Sequence, residues 1–261
     1  MEELGGTIGA IAAEKAGVFR SGRPALVASP LPEARQAFRA AADRAGAVLH
    51  EMAVETRVAP EEGAALAGTR FRLATPLHHY ALESPLPGRH QASNAATAVR
   101  AAELLWPTID PLAIARGVAS VRWPGRLERF SAHGRTVVLD GCHNPEGARA
   151  IARFLEEARI RPDLIFAAMA DKDIEAMAAA LGGASRRVLL APALSARSAA
   201  PEELARRFAG SRPDARTAPS LAAALEEVLA DPSSETIIVA GSLYLVGEAR
   251  ALFLSGRFDR D

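Results

Sequence analysis

Four short apolar runs, "TVVLD" from Thr136, "DLIFAAM" from Asp163, "RRVLLA" from Arg186 and "TIIVAG" from Thr236, alternate with stretches of helical periodicity. Runs this short and this continuously apolar suit strands buried on both faces, which is the signature of a parallel sheet between two layers of helices. The intervening patterns predict helices over 145–158, 173–181, 201–209, 219–230 and 243–254, with a short extra strand near Thr217. Strand and helix alternating at this spacing predict an α/β fold with a doubly wound, mainly parallel sheet.

Upstream the rhythm is looser. "GTIGAIAAEKAGVF" reads as a helix capped by Thr7, with Ile8, Ile11 and Ala12 on one face and Gly17 as its stop. A buried strand in "PALVAS", a helix in "EARQAFRAAADRAG" and a strand near "AVLHEM" follow. "TRFRLATPLHHYALES" alternates as two strands broken at Pro76, and helices are predicted from about His90 to Leu105 and from Pro111 to Ala119. In "RWPGRLERF" Pro124 and Gly125 interrupt the pattern, so the boundary is placed there, giving domains 1–122 and 123–261.

The 261 residues carry no formal net charge, which argues against a nucleic-acid footprint or a membrane-surface stripe. No apolar run approaches the ~20 residues of a spanning helix, and one cysteine cannot form an internal disulfide, so a reducing cytoplasm is expected. Of 31 basic residues only Lys15 and Lys172 are lysines. A lysine retained against that bias is a candidate for amine chemistry.

The turn "DGCHNP" packs an acid, an imidazole and an amide into the connection between a strand and a helix. Ligands collect at the carboxyl ends of strands in open α/β sheets. Asp140 there could accept from a ribose hydroxyl, with His143 and Asn144 as a stacking surface and donors; equally, Asn144 could be the N-cap ahead of Pro145. Cys142 lacks an orienting partner for a nucleophile and reads better as a small packed thiol. Gln91 and Asn94 share a stripe with Ala98, which is either solvated or turned to an adenine edge or a phosphate. Arg126 after the Pro-Gly turn is a surface arginine or a phosphate ligand. Lys15 at the end of its helix suits the dipole by itself. His78 and His79 are expected to face opposite ways on a strand, and His50 and His133 show no partner pattern. There is no G-x-x-x-x-G-K-[ST] loop and no G-x-G-x-x-G after a strand.

The order of "LGGTIGAIAAEKAGVFR", "GRHQASNAATAVRAAELL", "PGRLE", "LDGCHNPEGARA", "MADKD" and "VAGSLYLVGEAR" resembles the folylpolyglutamate synthase/dihydrofolate synthase family of the Mur ligase superfamily. The resemblance runs from Leu4 to about Phe253. It implies that 1–122 is the C-terminal part of an ATPase domain and 123–261 a Mur-type C-terminal domain. It further implies Lys15 as a carbamate holding a magnesium ion, and ATP-facing positions at Gln91, Asn94, Arg126, Asp140 and His143, with Lys15, Arg126 and His143 taking part in catalysis. The turn after Asp140 would form one wall of an ATP site between two domains. The implied reaction is ATP- and Mg2+-dependent addition of L-glutamate to dihydropteroate or folates through an acyl phosphate, by an enzyme monomeric in its complete form, without nucleic-acid or membrane partners. In that family a phosphate loop and a metal-binding histidine precede the matched stretch, so Met1 to Leu4 is expected to be interior sequence and the 261 residues alone are expected not to release ADP. The rival readings are another Mur-type amino-acid ligase and a non-catalytic nucleotide-binding α/β module.

Overall fold

The structure is a computed structural model and describes residues 7–61, 66–231, 233 and 235–258. Leu4 to Gly6, where the first family-like motif starts, lie outside the described residues. The chain separates into two compact units, Met1–Val121 and Arg122–Asp261. Among the described residues no helix is long and apolar enough to cross a membrane.

In the first unit, α1 (Ile8–Lys15) starts as expected, with the Thr7 hydroxyl accepting from the Ala10 amide at 3.1 Å. It ends differently. A 3-10 turn over Ala16–Val18 takes in Gly17, and of the expected apolar face only Ala12 is buried, while Ile8 is exposed. β1 (Pro24–Val27) and β2 (Val48–Glu51) pair in parallel around α2 (Pro32–Ala45), which Gly46 terminates at φ 66°. A single turn, α3 (Met52–Glu55), follows. His50 does have a partner: its Nδ1 lies 2.8 Å from Oε1 of Glu55. The two residues belong to different elements, so no periodicity links them.

β4 (Thr69–Ala74) and β5 (His79–Ser84) form the expected hairpin, and β3 (Arg57–Pro60) adds an antiparallel third strand, order β3-β4-β5. His78 lies in the turn ahead of β5, with its ring edge-on to Tyr80, so the two histidines are not strand neighbours. Phe71, Leu73 and Leu82 pack against Ala92, Ala96 and Val99 of α4 (Arg89–Leu105) and Ile114 of α5 (Pro111–Ala119). Each large side chain buried here contributes about 2 kcal/mol. Within this layer Glu103, 1% exposed, accepts from Thr75 Oγ1 (2.7 Å), the Tyr80 hydroxyl (2.9 Å) and Arg100 Nη1 (3.2 Å). Arg100 continues to Glu55 at 2.7 Å.

The second unit is a six-stranded sheet of β6 (Glu128–Ala132), β7 (Arg135–Asp140), β8 (Asp163–Phe166), β9 (Arg187–Leu190), β10 (Arg216–Thr217) and β11 (Thr236–Ala240), in the order β10-β9-β8-β11-β7-β6. All pairings are parallel except β6 with β7. The edge strand β6 was not expected from "RWPGRLERF"; its first four residues alternate between half-buried and exposed and only Ala132 is buried, so it lacks the apolar run that marks its neighbours. The helices α6 (Pro145–Glu157), α7 (Ile174–Ala184), α8 (Pro201–Phe208), α9 (Leu221–Ala230) and α10 (Leu243–Leu254) fall within a few residues of expectation.

α6, α7 and α8 pack side by side, and Phe208 of α8 meets Phe166 of β8 at 4.9 Å between centroids. α9 and α10 pack against the opposite sheet face, on Val137, Leu139, Ile165, Ile237 and Val239. The helix after β11 therefore lies on the other face from the helices after its neighbours β7 and β8. The face taken by the following helix thus switches on both sides of β11, and such switch points open crevices at the carboxyl ends of the strands.

Candidate functional site

β7 ends at Asp140, beside one of these crevices. The carboxylate is 2% exposed. Its Oδ1 accepts from the Cys142 amide at 2.9 Å and its Oδ2 from the Leu127 amide at 3.0 Å. Burial drives its pKa above the usual aspartate value, opposed by those two amides and by the charges of Arg126 and His143. Asp140 thus fastens two backbone turns together.

The turn it holds on the β6 side is unusual. Leu127 has φ 47° and is buried, which an L-leucine adopts only when its surroundings enforce it. Gly125, at φ 70°, accepts the Gly141 amide on its carbonyl at 2.7 Å and donates its own N–H to Glu128 Oε2 at 2.8 Å. Arg250 of α10 holds Glu128 at 3.0 Å. Between these anchors Arg126 lies 5.6 Å from the Trp123 ring centroid, a cation–π contact.

On the other turn, His143 is exposed and its Nδ1 lies 2.9 Å from the Gly141 carbonyl. A carbonyl can only accept, so the network assigns the proton to Nδ1 and leaves the Nε2 lone pair available in the neutral ring. Asn144 is the N-cap of α6, accepting from Gly147 at 2.8 Å. Cys142 is buried, and burial together with the Asp140 charge pushes its thiol up to about 12. It is a packed thiol. Gly241, at φ 103°, ends β11 where a Cβ would run into the Ala167 carbonyl and the Phe166 ring. Only glycine fits that approach.

The second unit brings Arg126, Asp140 and His143 together. In the first unit, Gln91 is 4% exposed and its Oε1 accepts from Asn94 Nδ2 at 3.1 Å, while its Nε2 lies 3.1 Å from His90 Nε2. Gln91 is therefore not solvated, whereas Asn94 is exposed. Lys15 is the exposed last residue of α1. Among the described residues no three His, Cys, Asp or Glu side chains gather as a metal-binding group. Sequence reasoning missed Leu127, Glu128 and Arg250. "PGRLE" contained the first two, but nothing in it signals a left-handed leucine.

Residues 125–243, which hold the doubly wound sheet and this turn, match the family described as Mur ligase, glutamate ligase domain. More particularly, the chain is similar to proteins named folylpolyglutamate synthase and dihydrofolate synthase. It is 32% identical to the folylpolyglutamate synthase of Lacticaseibacillus casei, over 97% of this chain and 59% of that protein. It is also 32% identical to the dihydrofolate synthase/folylpolyglutamate synthase of Mycobacterium tuberculosis, over 97% of this chain and 58% of the relative. The solved Mycobacterium tuberculosis folylpolyglutamate synthase complexed with ADP and AMPPCP superposes at TM-score 0.86 and 30% identity, covering 100% of this chain and 62% of that one. Escherichia coli FolC in complex with DHPP and ADP gives 0.84 at 27% identity, covering 98% and 59%. The chain thus spans about three-fifths of the length of these relatives.

Proposed function

We propose that the protein acts as an ATP-dependent carbon–nitrogen ligase, adding L-glutamate to dihydropteroate, to the γ-carboxylate of folates, or to both. The first unit would then be the C-terminal part of an ATPase domain. The observation that carries the reading is the Asp140 bracket, which holds Arg126 and His143 on rigid backbone at the carboxyl edge of β7. Relatives solved with ADP and with AMPPNP and a manganese ion support nucleotide and a divalent ion as ligands of this type of fold.

The reaction joins a carboxylate to an amine. The carboxylate attacks the γ-phosphorus of ATP, ADP leaves, and an acyl phosphate forms. The glutamate amine then adds to the acyl carbon, and the tetrahedral intermediate expels phosphate. Arg126, its guanidinium over the Trp123 ring and its backbone fixed by the turn, would neutralise phosphate charge during transfer. The His143 Nε2 would accept from the nucleotide side, and Asn94, oriented by Gln91, would donate an amide N–H. Asp140 acts by holding both turns; its carboxylate is turned inward and buried, so the expected contact with a ribose hydroxyl gives way to this bracing role.

Lys15 fits the proposed carbamate in being exposed to carbon dioxide. As a carbamate it would place an anion at the C-terminal end of α1, which the helix dipole disfavours unless a cation lies beside it. That argument favours a metal there. Magnesium, when bound, would offset charge on the transferring phosphoryl group.

The test is ADP release by the protein in the length that cells produce. Release that requires both L-glutamate and dihydropteroate or a folate is the expected result. Release driven instead by UDP-sugar peptides would assign another Mur-type ligase, and ATP binding without any turnover would assign a binding module.

A further inference from the structure

The three-stranded sheet of the first unit has a second face. Successive side chains on a strand point to opposite sides, so while Phe71, Leu73 and Leu82 turn in toward α4 and α5, the residues between them turn out to solvent. The outward residues fall into three rows across the strands. At one end Arg70 pairs in register with Glu83, and the Glu61 amide donates to the Arg70 carbonyl at 2.8 Å. In the middle row Arg72 stands between Ala59 and Ala81, and its Nε donates to Glu61 Oε1 at 3.0 Å. At the other end Arg57 and His79 flank Ala74.

Charge is therefore balanced at one end only. Glu61 and Glu83 lie beside Arg70 and Arg72, whereas among the described residues neither Arg57 nor His79 has a side-chain hydrogen-bond or ion-pair partner. The nearest carboxylate in sequence to Arg57, that of Glu55, is taken by Arg100 and His50. Because Arg72 is held to Glu61, a depression of about 500 Å3 is left over Ala59, Ala74 and Ala81, walled by Arg57, Arg72 and His79. That volume lies within the range of small-molecule sites. Alanines by themselves would make only a flat patch. Here they form an apolar floor between cationic walls, and strands about 4.8 Å apart set the backbones of Arg57 and His79 about 10 Å from each other.

We propose that this face binds a small planar aromatic anion, with its ring system on the alanine floor and its carboxylate or phosphate group between Arg57 and His79. Arg57 supplies a planar fork of donors, and the His79 imidazole supplies a further N–H from the opposite side. The Arg72 guanidinium, fixed by Glu61, closes the third side. The depression lies in the first unit, built of residues that the ligase reading does not use, and the inference does not rest on that reading.

The test is titration of the protein, in the length that cells produce, with 2-naphthoate, followed by calorimetry and by the fluorescence of the probe. Saturable binding at a single site is expected. Arg57→Ala should weaken it about tenfold, as loss of one charge-assisted contact would, and His79→Ala should weaken it less. Ala81→Ile raises the floor and should weaken it without removing a charge. These three positions are exposed on strands, where isoleucine is well accommodated, so the variants should melt with the parent. Arg126→Ala, in the other unit, should bind the probe as the parent does. The neutral 2-naphthalenemethanol and the ringless acetate should each bind about tenfold more weakly or worse. Equal binding of either, an affinity untouched by Arg57→Ala or by Ala81→Ile, or a loss caused by Arg126→Ala would overturn the assignment. Absence of saturable binding to the parent sinks it too, and leaves the ligase reading as it stood.

Discussion

Asp140 accepts the backbone N–H of Leu127 at 3.0 Å, and Leu127 is held at φ 47° with its side chain buried. A left-handed leucine is about 1–2 kcal/mol less favourable than a right-handed one, so the carboxylate, the Gly125–Gly141 bond and the leucine's own burial together enforce the turn. The geometry of Arg126, the residue between Gly125 and Leu127, follows from it.

Removing that anchor should disturb binding and stability together. Asp140→Ala strands two buried amides, those of Leu127 and Cys142, and is expected to destabilise the chain by about 2–4 kcal/mol and to weaken ATP binding. Arg126→Ala should weaken ATP binding with little change in stability. Urea unfolding and calorimetric ATP titration of both variants separate the two effects, and an Asp140→Ala chain of unchanged stability would remove the bracket from the account.

Cys142 gives a second expectation. A buried thiol pushed to about 12 is almost wholly protonated at neutral pH, and the thiolate is the reactive form. The native chain should resist alkylation by iodoacetamide and react once unfolded. Cys142→Ala should leave nucleotide binding intact. Rapid labelling of the native chain would contradict the packing described.

Glu248 on α10 supplies a pH-dependent case. Its Oε2 is buried without a hydrogen-bond partner, and burial raises its pKa. A carboxyl raised on folding contributes stability when protonated, below the unfolded glutamate value, and loses that contribution as pH climbs through the folded value. Glu248→Gln should accordingly melt higher than the parent at pH 7, by no more than about 1 kcal/mol because the residue is only partly enclosed. The difference should shrink as pH falls below about 4.3. Thermal melts at both pH values check the sign.

The buried hub in the first unit is the most sensitive to truncation. Glu103→Ala leaves Arg100, Tyr80 and Thr75 without their shared acceptor and should cost about 3–5 kcal/mol. Tyr80→Phe removes a single donor and should cost nearer 1 kcal/mol. Comparable losses from the two variants, measured by denaturant unfolding, would argue against the hub.

Much of the second unit was legible because β7, β8, β9 and β11 are buried on both faces and so read as unbroken apolar runs. β6 and β3 escaped because edge and half-exposed strands carry mixed residues over only four or five positions. The crowded turn at Asp140 was visible as chemistry, but not the inward direction of its carboxylate, which depends on the Leu127 and Cys142 amides. Gln91 shows the same limit: helical spacing placed it beside Asn94 without saying that it is buried.

The position of β11 has an evolutionary consequence. One side of its end is flanked by the turn that follows β7, the other by the turn that follows β8, and these turns share no residues. Changes in one mouth can accumulate without rewriting the other. Gly241 is the exception. It closes the strand common to both mouths, where a Cβ would run into the Ala167 carbonyl and the Phe166 ring, so a single codon change there would be felt on both sides at once.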